Sequence, residues 1–147
     1  MNLSLFGERL SELIAENNLS VKDVVSGSNV SKTAIYSYLK GIKMPTLYNL
    51  IKLADFFKCS TDYIVGIEDQ SYTQIFNPTT KFSTSFEKAL TRLKISRYKL
   101  EKLTGISEST LYYWAKGITS PSVENLITVS EALDCSLDFL IGRVDLP

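Results

Sequence analysis

Apolar residues recur along the chain at intervals of three and four, the spacing that lines one face of a helix. The first run is Phe6, Leu10, Leu13 and Ile14. The second, Phe82, Phe86, Ala89, Leu90 and Leu93, surrounds a Thr84 to Glu87 pattern that predicts a capping box. Downstream of each run, polar punctuation cuts the chain into short pieces. Ser20 and Ser96 stand where an N-cap opens a second helix, and Ser31 and Ser107 where one opens a third. Between these helices Asn29 and Gly105 are residue types that tolerate the left-handed backbone of a sharp turn. Gly41 and Gly117 close the third helix, and Pro45 and Pro121 precede a fourth that Thr46 or Ser122 can cap. A fifth starts at Ser60 or Ser136 and stops at Gly66 or Gly142. No alternating strand pattern of useful length occurs, so the expected class is all-α.

The two halves are copies of one unit. A shift of 76 residues aligns 10–69 with 86–145 without a gap, and 15 of the 60 positions are identical. The identities include Tyr36/Tyr112, Lys40/Lys116, Gly41/Gly117, Pro45/Pro121, Asn49/Asn125, Cys59/Cys135 and Asp62/Asp138. Pairs such as Val30/Ile106, Ile35/Leu111 and Ile64/Leu140 keep apolar character between them. A chance likeness of two amphipathic segments would need insertions, and this alignment has none. Ile67 to Lys81, centred on an uncharged run with Asn77-Pro78, reads as a connection. The expected organisation is a first domain over 1–69, a linker over 70–81 and a second domain over 82–147. Ile75, Phe76 and Phe82 make this region less polar than a free spacer, which predicts packing on a domain or on a second chain.

Composition narrows the function. With 16 Lys+Arg against 16 Asp+Glu the 147-residue chain is formally neutral, and 44% hydrophobic residues suffice for a core. No apolar run approaches the ~20 residues of a membrane helix. Glu8 and Arg9 interrupt the place where a signal peptide would have its apolar region, so a cytoplasmic protein without membrane contact is expected. There is no histidine, and Cys59 and Cys135 are the only cysteines. The commonest general base and the commonest metal ligand are therefore missing, and the expectation is no catalysis, no metal and no cofactor. Each cysteine follows the helix-four apolar run and reads as a core thiol, not as half of a mutual disulfide. Neutrality also hides a local imbalance. Residues 20–43 carry a net +3 and residues 96–119 a net +2, leaving −5 elsewhere. A basic face with an acidic back is what phosphate binding requires.

The run Val30-Ser31-Lys32-Thr33-Ala34-Ile35-Tyr36, ending in Lys40-Gly41 and followed by Pro45, resembles the helix-turn-helix family of phage repressors and Cro. Gly105 to Leu111, through Lys116-Gly117 and Pro121, resembles it more closely still. The likeness extends over 49–54 and 136–143 and spares only the linker. It implies two tandem five-helix, lambda-repressor-like domains and a regulator of transcription, often a repressor. The implied partner is a double-stranded DNA operator whose major groove receives the third helix.

A reading helix needs an apolar stripe to hold it down and polar or basic groups opposite. In the first copy Val30, Ile35, Tyr38 and Leu39 supply the stripe, leaving Lys32, Thr33, Tyr36, Ser37 and Lys40 outward. In the second, Ile106, Leu111, Trp114 and Ala115 face in, leaving Glu108, Ser109, Tyr112, Tyr113 and Lys116 outward. A solvated helix face would carry similar residues, but the repeat and the two-helix spacing favour DNA contact over it. By the resemblance, Lys32, Thr33, Tyr36 and Ser37, and Glu108, Ser109, Tyr112 and Tyr113, are base-facing. Ser20, Lys40, Lys43, Ser96, Arg97 and Lys116 fall where phosphates are held. Lysine can donate to guanine O6 or N7, and Glu108 can accept from a cytosine amine. Helix N-termini at 20–22 and 96–98 would add N–H donors. The aromatics of these helices would also suit single-strand stacking, although part of the set is needed for the core.

Both copies depart from the family pattern. Val25 and Glu101 occupy a position inside helix two that is normally small, and the carboxylate there must point out or find a partner. Glu108 opens its reading helix with a charge that phosphate repels, and Val21 stands where a polar group usually contacts the backbone. One copy could therefore pair chains or bind a protein, as in an antirepressor or antitoxin-like adaptor. Single-domain members dimerise over half-sites roughly 34 Å apart. About 12 linker residues span up to roughly 40 Å, so one chain could place both readers on an asymmetric operator. A homodimer would instead imply a longer or palindromic site.

Overall fold

The computed structural model describes residues 3–71 and 74–147, in which ten helices and no strand occur. The chain divides into two compact units, Met1–Ile75 and Phe76–Pro147. The first holds α1 (Leu3–Glu16), α2 (Val21–Ser28), α3 (Lys32–Leu39), α4 (Leu47–Phe57) and α5 (Thr61–Ile64). The second holds α6 (Phe82–Leu93), α7 (Arg97–Thr104), α8 (Glu108–Lys116), α9 (Val123–Leu133) and α10 (Leu137–Leu140). None of these helices is long and apolar enough to cross a membrane.

Local chemistry sets most of the helix boundaries. Ser20, Ser31, Thr46 and Ser60 cap α2 to α5, and Ser96, Ser107, Ser122 and Ser136 cap α7 to α10; each side-chain oxygen accepts the N–H three residues on. Each such cap contributes about 1 kcal/mol. α6 departs from expectation. It starts at Phe82 with Lys81 as its N-cap and no side-chain cap bond, so Thr84 and Glu87 lie inside the helix and form no capping box. The chain ahead of it supplies the order that a cap would otherwise give. Thr80 and Ser85 hydroxyls lie 2.7 Å apart, and the Asn77 N–H donates to the Arg143 carbonyl at 2.8 Å. Within the predicted linker, Ile75 is exposed, Phe76 and Asn77 are half-buried on the second unit, and Tyr72 and Thr73 lie outside the described residues.

Each unit closes over one apolar core. Phe6, Leu10, Ile35, Leu50, Leu53 and Ile64 are wholly buried in the first, and Phe86, Leu100, Leu111, Leu126 and Leu140 in the second. Each such side chain contributes about 1.5–3 kcal/mol. Equivalent edge-on aromatic pairs, Phe6 with Tyr38 and Phe82 with Trp114, tie the first helix of each unit to its third. In the first unit that approach is close enough that a Cβ on Gly7 would stand 2.6 Å from the Tyr38 carbonyl oxygen. Cys59 is buried and Cys135 half-buried, both as thiols.

The units differ in where each keeps a buried guanidinium. In the first it is Arg9 of α1, whose Nη1 donates to the Tyr63 and Glu68 carbonyls at 2.7 and 3.1 Å while its guanidinium covers the Tyr63 ring. Position 85 of the repeat carries serine instead. In the second it is Arg143, beyond α10, paired with Asp138 at 2.7 Å and lying over the Phe76 ring; the first unit has exposed Ile67 there.

Candidate nucleic-acid interface

Two adjoining helices, α2 with α3 and α7 with α8, build the same corner twice. Asn29 (φ 62°) and Gly105 (φ 77°) make the left-handed step between them. A hydroxyl locks each corner. Ser28 Oγ donates to the Val24 carbonyl and accepts the Val30 N–H; Thr104 Oγ1 donates to Leu100 and accepts from Ile106. Alignment of the two copies does not single out this pair, because serine and threonine do not score as an identity although they make the same bonds. With the corner fixed, Val30, Ile35 and Tyr38, and Leu111, Trp114 and Ala115, are buried, which turns the opposite faces of α3 and α8 outward.

On α3, Lys32, Thr33, Tyr36 and Lys40 are exposed and Ser37 is half-buried. The Lys32 ammonium lies 6.0 Å from the Tyr36 ring centre, at the edge of cation–π range. Lys43 is exposed in the following turn. On α8, Glu108, Ser109, Tyr112, Tyr113 and Lys116 are exposed. Arg97 reaches in from α7. Its guanidinium stands 5.4 Å from the Tyr112 ring centre and the Lys116 ammonium 5.7 Å from the same ring, so two cations share one tyrosine. Arg97 Nε is buried and bonded to nothing among the described residues. The Lys116 to Glu87 ion pair, at 4.0 Å between half-exposed groups, is worth about 0–1 kcal/mol and does not hold the lysine down.

The entrances of α2 and α7 differ more than their caps suggest. Ser20 and Asp23 form a complete capping box: Ser20 Oγ accepts the Asp23 N–H, while the Asp23 carboxylate accepts both the N–H and the hydroxyl of Ser20. The bonds from the Ser20 backbone and hydroxyl hold the Asp23 carboxyl below its ordinary value of 3.8, so it is a carboxylate at neutral pH. A negative charge therefore already sits in the first turn of α2. In α7 the same place is Lys99, whose N–H donates to Ser96 Oγ, next to Arg97. Lys99 is exposed at a helix N-terminus, a cation that the family resemblance alone does not pick out.

Glu101 is the carboxylate that had to point out or find a partner. Its Oε2 accepts the Glu108 N–H, at the first residue of α8. α8 thus begins with two carboxylates at its N-terminus, one bonded to the backbone and one exposed.

A model of the helix-turn-helix family matches residues 10–64 and again residues 86–140, more than half of the chain. The chain belongs to the helix-turn-helix family. The two matches fall on the two corners, each running from the first helix of a unit into its last. Repressor protein C2 of Salmonella phage P22 is 40% identical over 50 residues, which cover 34% of this chain and 23% of that repressor. The chain thus matches less than a quarter of the length of this relative, and no solved structure matches it.

Proposed function

We propose that the chain is a cytoplasmic repressor that reads one asymmetric double-stranded operator with both helix-turn-helix domains. α3 enters the major groove of one half-site, with Lys32 donating to guanine O6 or N7 and Thr33, Tyr36 and Ser37 meeting neighbouring bases. α8 enters the other, where Glu108 accepts from a cytosine amine and Ser109, Tyr112 and Tyr113 complete the contact. Lys40 and Lys43 on one side, and Arg97 and Lys116 on the other, neutralise phosphates. Ser20 and Ser96 contribute through the helix N-termini they cap. No cofactor or metal takes part.

The observation that carries this reading is that both third helices rest on the same buried stripe and the same locked corner, yet turn outward different side chains. Such a pair suits two unlike half-sites. Selection of bound duplexes from a random-sequence pool at near-physiological salt tests it. Two unlike half-sites about one turn apart are expected. A palindrome of one half-site would mean that one domain reads while the other pairs two chains, and no enrichment would overturn the DNA-reading assignment in favour of a protein partner.

A further inference from the structure

We propose that residues 76–80 form a clasp on the second domain that limits the reach of the interdomain connection and so restricts the half-site spacing the chain accepts. This rests on the two-reader assignment above. The clasp is a set of contacts, not a passive stretch of chain. The Asn77 N–H donates to the Arg143 carbonyl at 2.8 Å, and Asn77 Nδ2 donates to the Gly142 carbonyl at 3.2 Å and to Asp145 Oδ1 at 2.9 Å. The Phe76 ring lies 4.1 Å beneath the Arg143 guanidinium, which is buried and held by Asp138. Thr80 closes the set through the Ser85 hydroxyl, in the place where α6 has no side-chain cap. The residue before Pro78 is also biased toward extended backbone, which suits Asn77 to a strap laid along a surface.

Arg143 has no counterpart in the first copy, where Ile67 occupies its place, so the clasp belongs to the connection and not to the repeat. On the other side, the first domain holds its chain as far as Glu68, whose carbonyl accepts from Arg9 and whose N–H donates to the Asp62 carbonyl. From Glu68 to Phe76 the chain can span at most about 27 Å, whereas release of the clasp back to Lys81 would allow about 44 Å. The difference, about 17 Å, is the rise of roughly five base pairs. A tether too short to span two sites gives an effective concentration near zero, so this length is a filter on operators.

The test uses the full chain and a series of duplexes carrying the two selected half-sites with one to five base pairs inserted between them. Wild type is expected to lose about tenfold or more in affinity on insertion of two or three base pairs, as expected when a tether fails to span. Phe76→Ala with Asn77→Ala, which leaves the Asp138–Arg143 pair in place, should lose about threefold or less. Six Gly/Ser residues inserted between Gln70 and Ser71 lengthen the tether without touching the clasp and should flatten the profile similarly. Unchanged spacing profiles in the double variant, with its thermal melt intact, would overturn the proposal. Hydrogen exchange supplies a readout independent of DNA. The Asn77 amide should be protected in wild type and lose that protection in the double variant; exchange at the unstructured rate in wild type would remove the clasp even if both domains read DNA. If no duplex binds at all, the two-reader assignment fails, and the exchange result still decides whether the clasp exists.

Discussion

α3 and α8 stand on matching corners, but the charges at the helix entrances around them are exchanged. In the first domain the cation is on the third helix, Lys32, and the carboxylate is at the start of the second, Asp23. In the second, α8 begins with Glu108 above a bonded Glu101, and α7 begins with Arg97 and Lys99. The residues that stayed alike, Ser20/Ser96, Ser31/Ser107, the corner hydroxyls and the buried stripes, fix the backbone. At these helix entrances, those that changed face outward or satisfy a helix end. Frame and outward surface are therefore separable in this molecule, and each helix N-terminus takes a carboxylate or leaves room for an anion according to its neighbours.

Exchange of the two leading charges should have the largest effect. Lys32→Glu with Glu108→Lys is expected to exchange the preferred half-sites, with affinity for the original operator falling about 10-fold to 100-fold, since one good base contact is worth roughly 1–3 kcal/mol. Competition binding with the operator in both half-site orders measures this, and retained preference would show that these two residues do not read. Next comes the phosphate side. Arg97→Ala with Lys116→Ala should reduce the slope of log affinity against log salt by about 1.8, two phosphate contacts at about 0.9 each. Val21→Arg in the first domain should raise it by about 0.9, bringing the two entrances closer to equivalence. An unaltered slope in both would place the backbone contacts elsewhere. The smallest effect concerns Asp23. Because its carboxyl titrates below 3.8 when folded, its charged form stabilises the fold above that pH, and this contribution is lost as pH falls through the lowered value. Wild type should therefore be more stable than Asp23→Ala at neutral pH, the gap closing in acid; thermal melts from neutral to acid pH would show a constant gap if Asp23 acts through something other than its charge.

The range of each interaction decides how much of it is legible in the sequence. Capping spans three residues, so Ser20, Ser31, Ser96 and Ser107 could be placed without knowledge of the fold, and a left-handed step is recognisable from Asn29 or Gly105 alone. The inward stripes of α3 and α8 were readable for the same reason: periodicity belongs to one helix. The start of α6 was not readable, because its order comes from Asn77 meeting Gly142, 65 residues further along. The sharing of Tyr112 by Arg97 and Lys116, and the bond from Glu108 to Glu101, depend on how closely α7 approaches α8. Charge counting could place a net charge of +5 near the two corners, but it could not tell that Asp23 is engaged by its own cap.

The two buried arginines have a further consequence for tandem copies folding in one chain. Near-repeats risk assembling with a neighbour's helix in place of their own. If α6 packed on the body of the first domain, Ser85 would stand where Arg9 serves the Tyr63 and Glu68 carbonyls, and the Tyr63 carbonyl would keep only the Gly66 N–H. If α1 packed on the second, Arg9 would crowd into the place where Ser85 Oγ already sits close to Gly142 and Thr80, with the buried Arg143 of that domain still present. Each wrong pairing therefore has either a missing guanidinium or a surplus one, so the two sister helices are not interchangeable at this one side chain.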